Sequence, residues 1–135
     1  MTEWTDKDEA FRKMYFASIN EAFAQLPEHL DGRFANSKHL RRWALIKTHY
    51  ANEQSLVFDK FADALRRVSY ISRTQPESVV SIIGTVIKVW TAQSQSKQAM
   101  SPAEFRESAS AVLDLLTFLL GVNVSELRRN AGKAA

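Results

Sequence analysis

The spacing of apolar residues along the chain predicts five helices and one pair of β-strands. In residues 6–26, apolar side chains recur at steps of three and four residues, which is typical of an amphipathic helix. The same period predicts a second helix over residues 37–50, capped by Asn36 or Ser37, and a third over about residues 59–70. The buried face predicted for the third helix consists of Phe58, Phe61, Ala62, Leu65 and Val68.

Residues 79–90 have a period of two, which predicts a β-hairpin. Gly84 and Thr85 fit a two-residue turn with glycine first, so Ile83 is expected to pair with Val86. This register gives an apolar face that is expected to pack on helices, made of Val80, Ile82, Ile87 and Val89. The other face is mixed and partly exposed, and carries Val79, Ser81, Lys88 and Trp90. A two-stranded ribbon is marginal alone, so it must pack on the helices or extend across a partner chain.

The fourth and fifth helices are predicted from their end signals. Ser101-Pro102-Ala103-Glu104 combines a capping box with proline at the first helical position, and Gly121 fits the end of that helix. Near this end the apolar residues extend almost around the helix, which fits either a core helix or a subunit interface: Leu113, Leu115, Phe118 and Leu120. Ser125 is expected to cap the short fifth helix.

These elements predict a single α+β domain, mostly helical, with a small antiparallel β-hairpin sheet. The 135 residues suit one domain, and an apolar content of 45% with 24% charged residues is that of an ordinary globular protein. Residues 1–5 and 131–135 are expected to be flexible. The chain contains no cysteine, no secretory signal and no membrane-spanning run, so we expect a cytoplasmic protein without disulfides.

Positive charge is concentrated in one segment, although the formal net charge of the chain is only +3. No acidic residue lies between Asp31 and Glu53, and a helical wheel places Lys38, Arg41, Arg42 and His49 on one solvent-facing arc. The opposite arc is apolar and contains Leu40, Trp43, Ala44, Ile46 and Tyr50. Such a patch attracts polyanions, so the helix fits either a nucleic-acid-binding face or an ordinary solvated face.

Other candidate binding residues lie on the apolar arc and in the hairpin region. Lys47 falls between Trp43 and Tyr50, where it either extends past the rings to solvent or holds its ammonium over an aromatic face. Trp90, beside Lys88, is a candidate for stacking on unpaired bases. The polar run over residues 91–98 is either a phosphate-binding segment or a plain connection, and it includes Ser94, Ser96 and Lys97.

The sequence shows no constellation typical of an enzyme. The three histidines lack metal-ligand spacing, and there is no glycine-rich phosphate loop. Asp59 and Asp63 lie one helical turn apart, but no third ligand accompanies them, so they fit a surface pair better than a metal site. We therefore expect no catalytic residue, no cofactor and no metal.

Three groups of residues carry a resemblance to a known family. Together they span most of residues 10–120. The first group, near the start, is Arg12-Lys13 with Tyr15-Phe16, Ile19-Asn20 and Phe23. The second group is Leu40, Arg41, Leu45, Ile46 and Tyr50, and the third is Ser94-x-Ser96, Met100 and Glu104-Phe105. In these positions the chain resembles a group of small phage-encoded proteins that includes the lambdoid Orf (NinB) recombination mediators. One departure is that this sequence starts directly at its first helix, whereas relatives carry an N-terminal β-strand region.

The resemblance implies a dimeric, non-enzymatic protein that binds single-stranded DNA and helps to load or exchange a recombinase on DNA covered by single-strand-binding protein. The expected partners are single-stranded DNA, a second copy of the chain, and a single-strand-binding protein or recombinase. The expected DNA-binding residues are Lys38, Arg41, Arg42, Lys47, His49, Lys88, Trp90, Ser94, Ser96 and Lys97. The alternative is a protein-interaction adaptor whose basic helix binds an acidic partner segment.

Overall fold

The structure, a computed structural model, describes residues 3–30 and 32–134, which form five α-helices, three β-strands and one short 3-10 helix at Glu28–Leu30. In chain order the α-helices and β-strands are α1 (Asp6–Ala24), α2 (Ser37–Lys47), β1 (Ala51–Val57), α3 (Phe61–Thr74), β2 (Val79–Ile83), β3 (Val86–Ala92), α4 (Pro102–Leu120) and α5 (Val124–Ala134). The predicted α+β class is confirmed. Of the ends predicted to be flexible, residues 1, 2 and 135 lie outside the described residues, as do the side chains of residues 132–134.

Four of the five described α-helices begin at side-chain caps, and α3 begins without one. Ser101 and Glu104 form the predicted capping box at the start of α4, and Gly121 ends this helix with a left-handed φ of 72°. Asn36 caps α2 by accepting a hydrogen bond from the His39 backbone N–H at 2.9 Å. The cap of α5 is Asn123 rather than the predicted Ser125, since Asn123 Oδ1 accepts from the Glu126 N–H at 2.8 Å.

The main core lies among the helices, and α4 passes through it. Tyr15 and Ile19 of α1, Leu45 of α2 and Phe105 of α4 are all fully or almost fully buried there. Leu113 and Leu116 are buried too, so most of the apolar surface of α4 is enclosed in the core, although Phe118 is 80% exposed.

No single described helix is long and apolar enough to cross a membrane. Only α4 and α5 taken together reach the required length and apolar content, and they are bent by 94° relative to each other.

The sheet is antiparallel in the order β1-β3-β2. Ile83 pairs with Val86 and Val79 with Trp90, which confirms the predicted register, and Gly84 has a φ of 61° in the turn. The sequence did not predict β1, which pairs along the whole of β3. The hairpin therefore gains its third strand from its own chain. Its apolar face packs on α3 as expected, with Ile87 and Val89 against Ala64 and Ile71.

Three helices differ from the sequence-based prediction. The second helix ends at Lys47 instead of residue 50, because His49 adopts a φ of 73° and the chain turns into β1. His49 is therefore not on the arc of Lys38. The third helix covers Phe61–Thr74, and its buried residues are Ala64 and Ile71. Of the predicted face, Phe58 and Val68 are partly buried against them, whereas Phe61, Ala62 and Leu65 are exposed. The fifth remains helical to Ala134, beyond the residues predicted to fray.

One end of the sheet, where β2 turns into β3, exposes four large apolar side chains. Val57 and Ile83 flank Val86 on the outer face of the sheet, and α3 begins nearby with Phe61 followed by Leu65. Their exposed fractions are 75%, 81%, 52% and 43%, respectively. We call Val57, Phe61, Leu65 and Ile83 the apolar tip. Phe61 and Leu65 belonged to the predicted buried face of α3, and for these two residues the prediction is wrong because the helix rests on the sheet through the adjoining arc of Ala64, Val68 and Ile71.

Candidate anion-binding cleft

A cleft of about 530 Å³ opens at the other end of the sheet, where β3 ends and β2 begins. It is bounded by α1, α2, the connection between α3 and β2, and the segment that follows β3. Its charged lining residues are Arg12, Arg41, Arg42 and Glu77. Uncharged polar groups complete the wall, among them Thr91, Gln93, Ser94, Gln95 and Ser96. We call this the arginine cleft.

Gln95 joins the parts of the arginine cleft and is only 3% exposed. Its side-chain Oε1 accepts hydrogen bonds from Tyr15 Oη at 2.9 Å and from Arg41 Nη1 at 3.1 Å. Its backbone oxygen accepts from Arg12 Nη1 at 2.8 Å, and its Nε2 donates to Ser108 Oγ at 2.9 Å. One buried amide thereby connects the segment after β3 to α1, α2 and α4.

Aromatic rings support the two guanidinium groups that Gln95 holds. The Cζ atoms of Arg12 and Arg41 lie 5.0 Å and 5.3 Å from the ring centroid of Phe16. Arg12 also lies 4.9 Å from the centroid of Phe105. Such cation–π contacts hold a planar guanidinium in place without neutralising its charge. Both groups are therefore fixed before any ligand arrives.

Neither guanidinium has an acidic partner within the described part of the chain: no carboxylate oxygen lies within 4.0 Å of Arg12 or Arg41. Burial lowers the pKa of Arg41 below its usual value, and the charges of Arg42 and Arg12 act in the same direction while Tyr15 opposes them. Burial likewise raises the pKa of Tyr15 to about 12, so its hydroxyl stays neutral and donates to Gln95. The cleft therefore contains two uncompensated positive charges at neutral pH.

Arg42 is neutralised by Glu77, contrary to the expectation that Arg41 and Arg42 point freely into solvent. Arg42 Nη1 lies 2.9 Å from Glu77 Oε1, and His39 Nε2 lies 3.8 Å from Oε2. Burial by itself would raise the pKa of the Glu77 carboxyl. Hydrogen bonds from its own backbone N–H and from Arg42 lower the pKa, as do the positive charges of His39 and Arg42, and together they outweigh the effect of burial. The acid absent from α2 is supplied by the connection between α3 and β2.

A second cleft of about 430 Å³ shares Glu77 with the first and centres on Trp43. Arg33 Cζ lies 5.3 Å from the centroid of Trp43, and Lys47 Nζ lies 5.9 Å from it. Of the two alternatives for Lys47, the structure therefore places its ammonium over an aromatic ring. Val79, which pairs directly with Trp90, also lines this tryptophan cleft. The clefts lie side by side, and Glu77 forms part of both walls.

The remaining predicted DNA-binding residues are dispersed. Lys38 and His49 are exposed and line neither cleft, and Trp90 lies on the outer face of the sheet with Lys88. Lys88 Nζ is 3.3 Å from Glu53 Oε1, and Lys97 forms an ion pair with Glu9. These two lysines therefore bring little uncompensated charge.

Ser94 and Ser96 line the arginine cleft, where they also order the loop. Ser94 Oγ accepts from the Ser96 backbone N–H at 3.2 Å, and Ser96 Oγ accepts from the Ala99 N–H at 3.2 Å. At the start of α4 the Glu104 N–H already donates a hydrogen bond to Ser101 Oγ, so it is not available to a phosphate. The arginines of the cleft are therefore better suited to bind an anion than this helix end is. The predicted role of the polar run thus shifts from the helix terminus to the cleft wall.

Sequence reasoning missed Arg12, Phe16 and Gln95 as site residues. Arg12 and Phe16 lie four residues apart on α1, a spacing at which an arginine side chain can reach a ring, and this was the available signal. Gln95 gave no signal, because a neutral amide in a polar run acquires its role only from partners that are 13 to 83 residues away.

Within residues 3–30 and 32–134, no three histidine, aspartate or glutamate side chains gather in a way that could hold a metal ion. Asp63, one of the two acids considered for such a site, forms an ion pair with Arg66. The chain has no significant match to a family model, to a curated protein or to a solved structure.

Proposed function

We propose that this protein is a non-enzymatic single-stranded DNA-binding protein that acts in homologous recombination of the phage or prophage type. The observation that carries the proposal is the arginine cleft, in which Arg12 and Arg41 are held by Gln95 and Phe16 and have no acidic partner among the described residues. A site with fixed, uncompensated guanidinium groups favours an anion with several oxygen acceptors. The phosphate of a nucleic acid has this chemistry.

The tryptophan cleft favours a single strand over a duplex. Arg33 and Lys47 lie over the Trp43 ring and Phe34 packs 5.2 Å from it, so a base that stacks on Trp43 would take the place of one of these two cations, which would then be free to contact the phosphates. Only an unpaired base can use such a platform, and one stacked base contributes about 1 to 3 kcal/mol. Because Glu77 lines both clefts, a phosphate in one and a base in the other would belong to the same short stretch of strand.

The role in recombination rests on the resemblance to the phage mediator proteins. In that role the protein would act on DNA covered by single-strand-binding protein, with that protein or a recombinase as its partner. The adaptor alternative uses the same positive cleft for the carboxylates of an acidic protein segment. No contact in the structure favours it specifically, so it is kept as an outcome of the test below.

We expect the protein to bind fluorescent oligo-dT, without ATP or metal, more tightly than a duplex of equal length. The reason is that stacking adds to phosphate contact only when the bases are unpaired. Fluorescence anisotropy over a range of salt concentrations measures both affinities. Equal affinity for the two DNAs, or binding to an acidic peptide but not to oligo-dT, would remove the proposal, and the second result would support the adaptor.

We also propose that the apolar tip joins two copies of the chain in a symmetric dimer. Charges of both signs lie beside the tip in the sequence, with Asp59 and Asp63 against Lys60, Arg66 and Arg67. A surface with both signs suits contact with its own copy, whereas a polyanion would require a basic surface. The tip and the arginine cleft lie at opposite ends of the sheet, so a dimer formed there would leave both clefts open.

In light scattering at micromolar concentration, we expect a mass of about twice the 15.3 kDa of the chain. Ile83→Asp should reduce this mass to that of one chain, because it places a charge in the centre of a desolvated contact. The matched control is Phe118→Asp, which changes a similarly exposed apolar residue on α4. A monomeric wild type, or a dimer that is lost in the control and not in Ile83→Asp, would contradict the dimer model.

A further inference from the structure

The charges in the arginine cleft sum to two uncompensated positive charges. Three arginines and one glutamate line it, and the ion pair between Arg42 and Glu77 cancels one charge of each sign. Arg12 and Arg41 remain. An internal phosphodiester carries a single negative charge, whereas a phosphate monoester carries roughly −1.5 to −2 near neutral pH. The charge of the cleft is therefore matched by a monoester better than by a diester.

The hydrogen-bond donors point to the same ligand. Arg12 and Arg41 each donate to Gln95 through Nη1, and most of their other N–H groups have no acceptor among the described residues. A guanidinium presents its donors as a planar fork that fits two phosphate oxygens at once. A monoester offers three terminal oxygens to two such forks, whereas a diester offers two, so the monoester can make more charge-assisted hydrogen bonds in the cleft.

The shape of the cleft also suits the end of a strand. Chain segments bound it on several sides: α1 with Arg12, α2 with Arg41, the connection with Glu77, and the segment with Ser94. An internal phosphodiester can enter such a cleft only if the strand passes both in and out. A terminal phosphate needs a single opening.

We infer that the arginine cleft binds the phosphate monoester at the end of a DNA strand. This inference rests on the proposed DNA binding and specifies the part of the strand that the cleft recognises. The shared chemistry is a dianionic phosphate on a nucleoside, so a free mononucleotide is a second source of the same ligand. The arms of the experiment separate the sources.

Three oligo-dT strands of equal length, with a 5′-phosphate, a 3′-phosphate or no terminal phosphate, are compared by anisotropy, each labelled away from the tested end. A terminal phosphate at the recognised end is expected to tighten binding about tenfold, as one additional charge-assisted contact would. Calorimetry with thymidine monophosphate and with thymidine tests the free nucleotide. Only the phosphorylated compound is expected to bind.

The variant Gln95→Glu places a carboxylate of the protein itself in the arginine cleft, where it would compete with a bound phosphate. Its carboxylate would accept from Arg41 and Tyr15 as the amide does, and it would add a negative charge beside both arginines. The tenfold preference should then disappear, whereas Gln98→Glu, the same change at an exposed position of the same loop, should keep it.

The outcomes separate this inference from the proposed function. Equal binding of all three strands by the wild type, with no binding of thymidine monophosphate, would overturn the inference and leave single-stranded DNA binding in place. Binding of thymidine monophosphate without binding of any oligo-dT would support the monoester site and overturn the DNA function. The wild-type measurements decide the matter even if Gln95→Glu fails to fold.

Discussion

Replacing Gln95 with leucine is expected to lower the free energy of unfolding by roughly 3 to 5 kcal/mol. The change leaves the buried hydroxyl of Tyr15 without an acceptor and removes the acceptor of an Arg41 N–H. Each unsatisfied buried group costs about 1 to 3 kcal/mol, and more when it is charged. Leucine has a similar volume, so the loss would report the hydrogen bonds rather than a cavity. Urea denaturation followed by tryptophan fluorescence measures it.

The control for this change is Gln98→Leu, which alters an exposed residue of the same loop and should shift stability by about 0.5 kcal/mol or less. The variant Gln95→Glu should retain most of the stability, since a carboxylate still accepts from Tyr15 and Arg41. A loss below about 1 kcal/mol in Gln95→Leu would show that Gln95 does not hold the cleft together.

The double variant Arg12→Gln and Arg41→Gln is expected to weaken binding to oligo-dT about a hundredfold. Each lost charge-assisted contact accounts for about a factor of ten. If each arginine neutralises one phosphate charge, the slope of log affinity against log salt should fall by about 1.4, at roughly 0.7 per contact. Anisotropy titrations at several salt concentrations give both quantities.

The matched control is Arg66→Gln with Arg73→Gln, which removes the same net charge from exposed positions on α3. It should leave both the affinity and the slope nearly unchanged, because neither of its arginines lines the cleft. Melting curves establish that each variant is folded. If the two double variants weaken binding equally, the affinity comes from overall charge and the arginine cleft is not the DNA site.

The sequence predicted best those elements whose signals are local. The hairpin register followed from Gly84 in a two-residue turn, since the turn determines every pair that follows it. The start of α4 followed from Ser101 and Glu104, which are three residues apart and satisfy each other's backbone groups. In both cases the determining interactions lie within a few residues.

The elements that the sequence did not predict depend on distant partners. The strand β1 is polar through Asn52, Glu53, Gln54 and Ser55, so it has no apolar alternation, and it is extended because β3 offers an edge. Helix α3 has one broad apolar arc, and the sheet covers the edge of this arc that contains Ala64 and Ile71. Hydropathy alone could not identify this edge.

The candidate site was partly predicted for the same reason. Arg41, Ser94 and Ser96 were identified from their charge and polarity, and all three line the arginine cleft. The opposite charge of Glu77 could not be assigned to Arg42, because the two residues are 35 positions apart in the chain. The sequence therefore indicated which segment is basic but not which of its charges remain uncompensated.

Glu77 lines both clefts, so a ligand that moves its side chain in one cleft would also change the wall of the other. An anion that drew Arg42 away from Glu77 would alter the carboxylate that faces the tryptophan cleft. Any factor by which such an anion changed the affinity for a ligand beside Trp43 would equal the factor by which that ligand changed the affinity for the anion, because coupling free energies are reciprocal. Coupling of this kind would require the displacement of one side chain and no rearrangement of the fold.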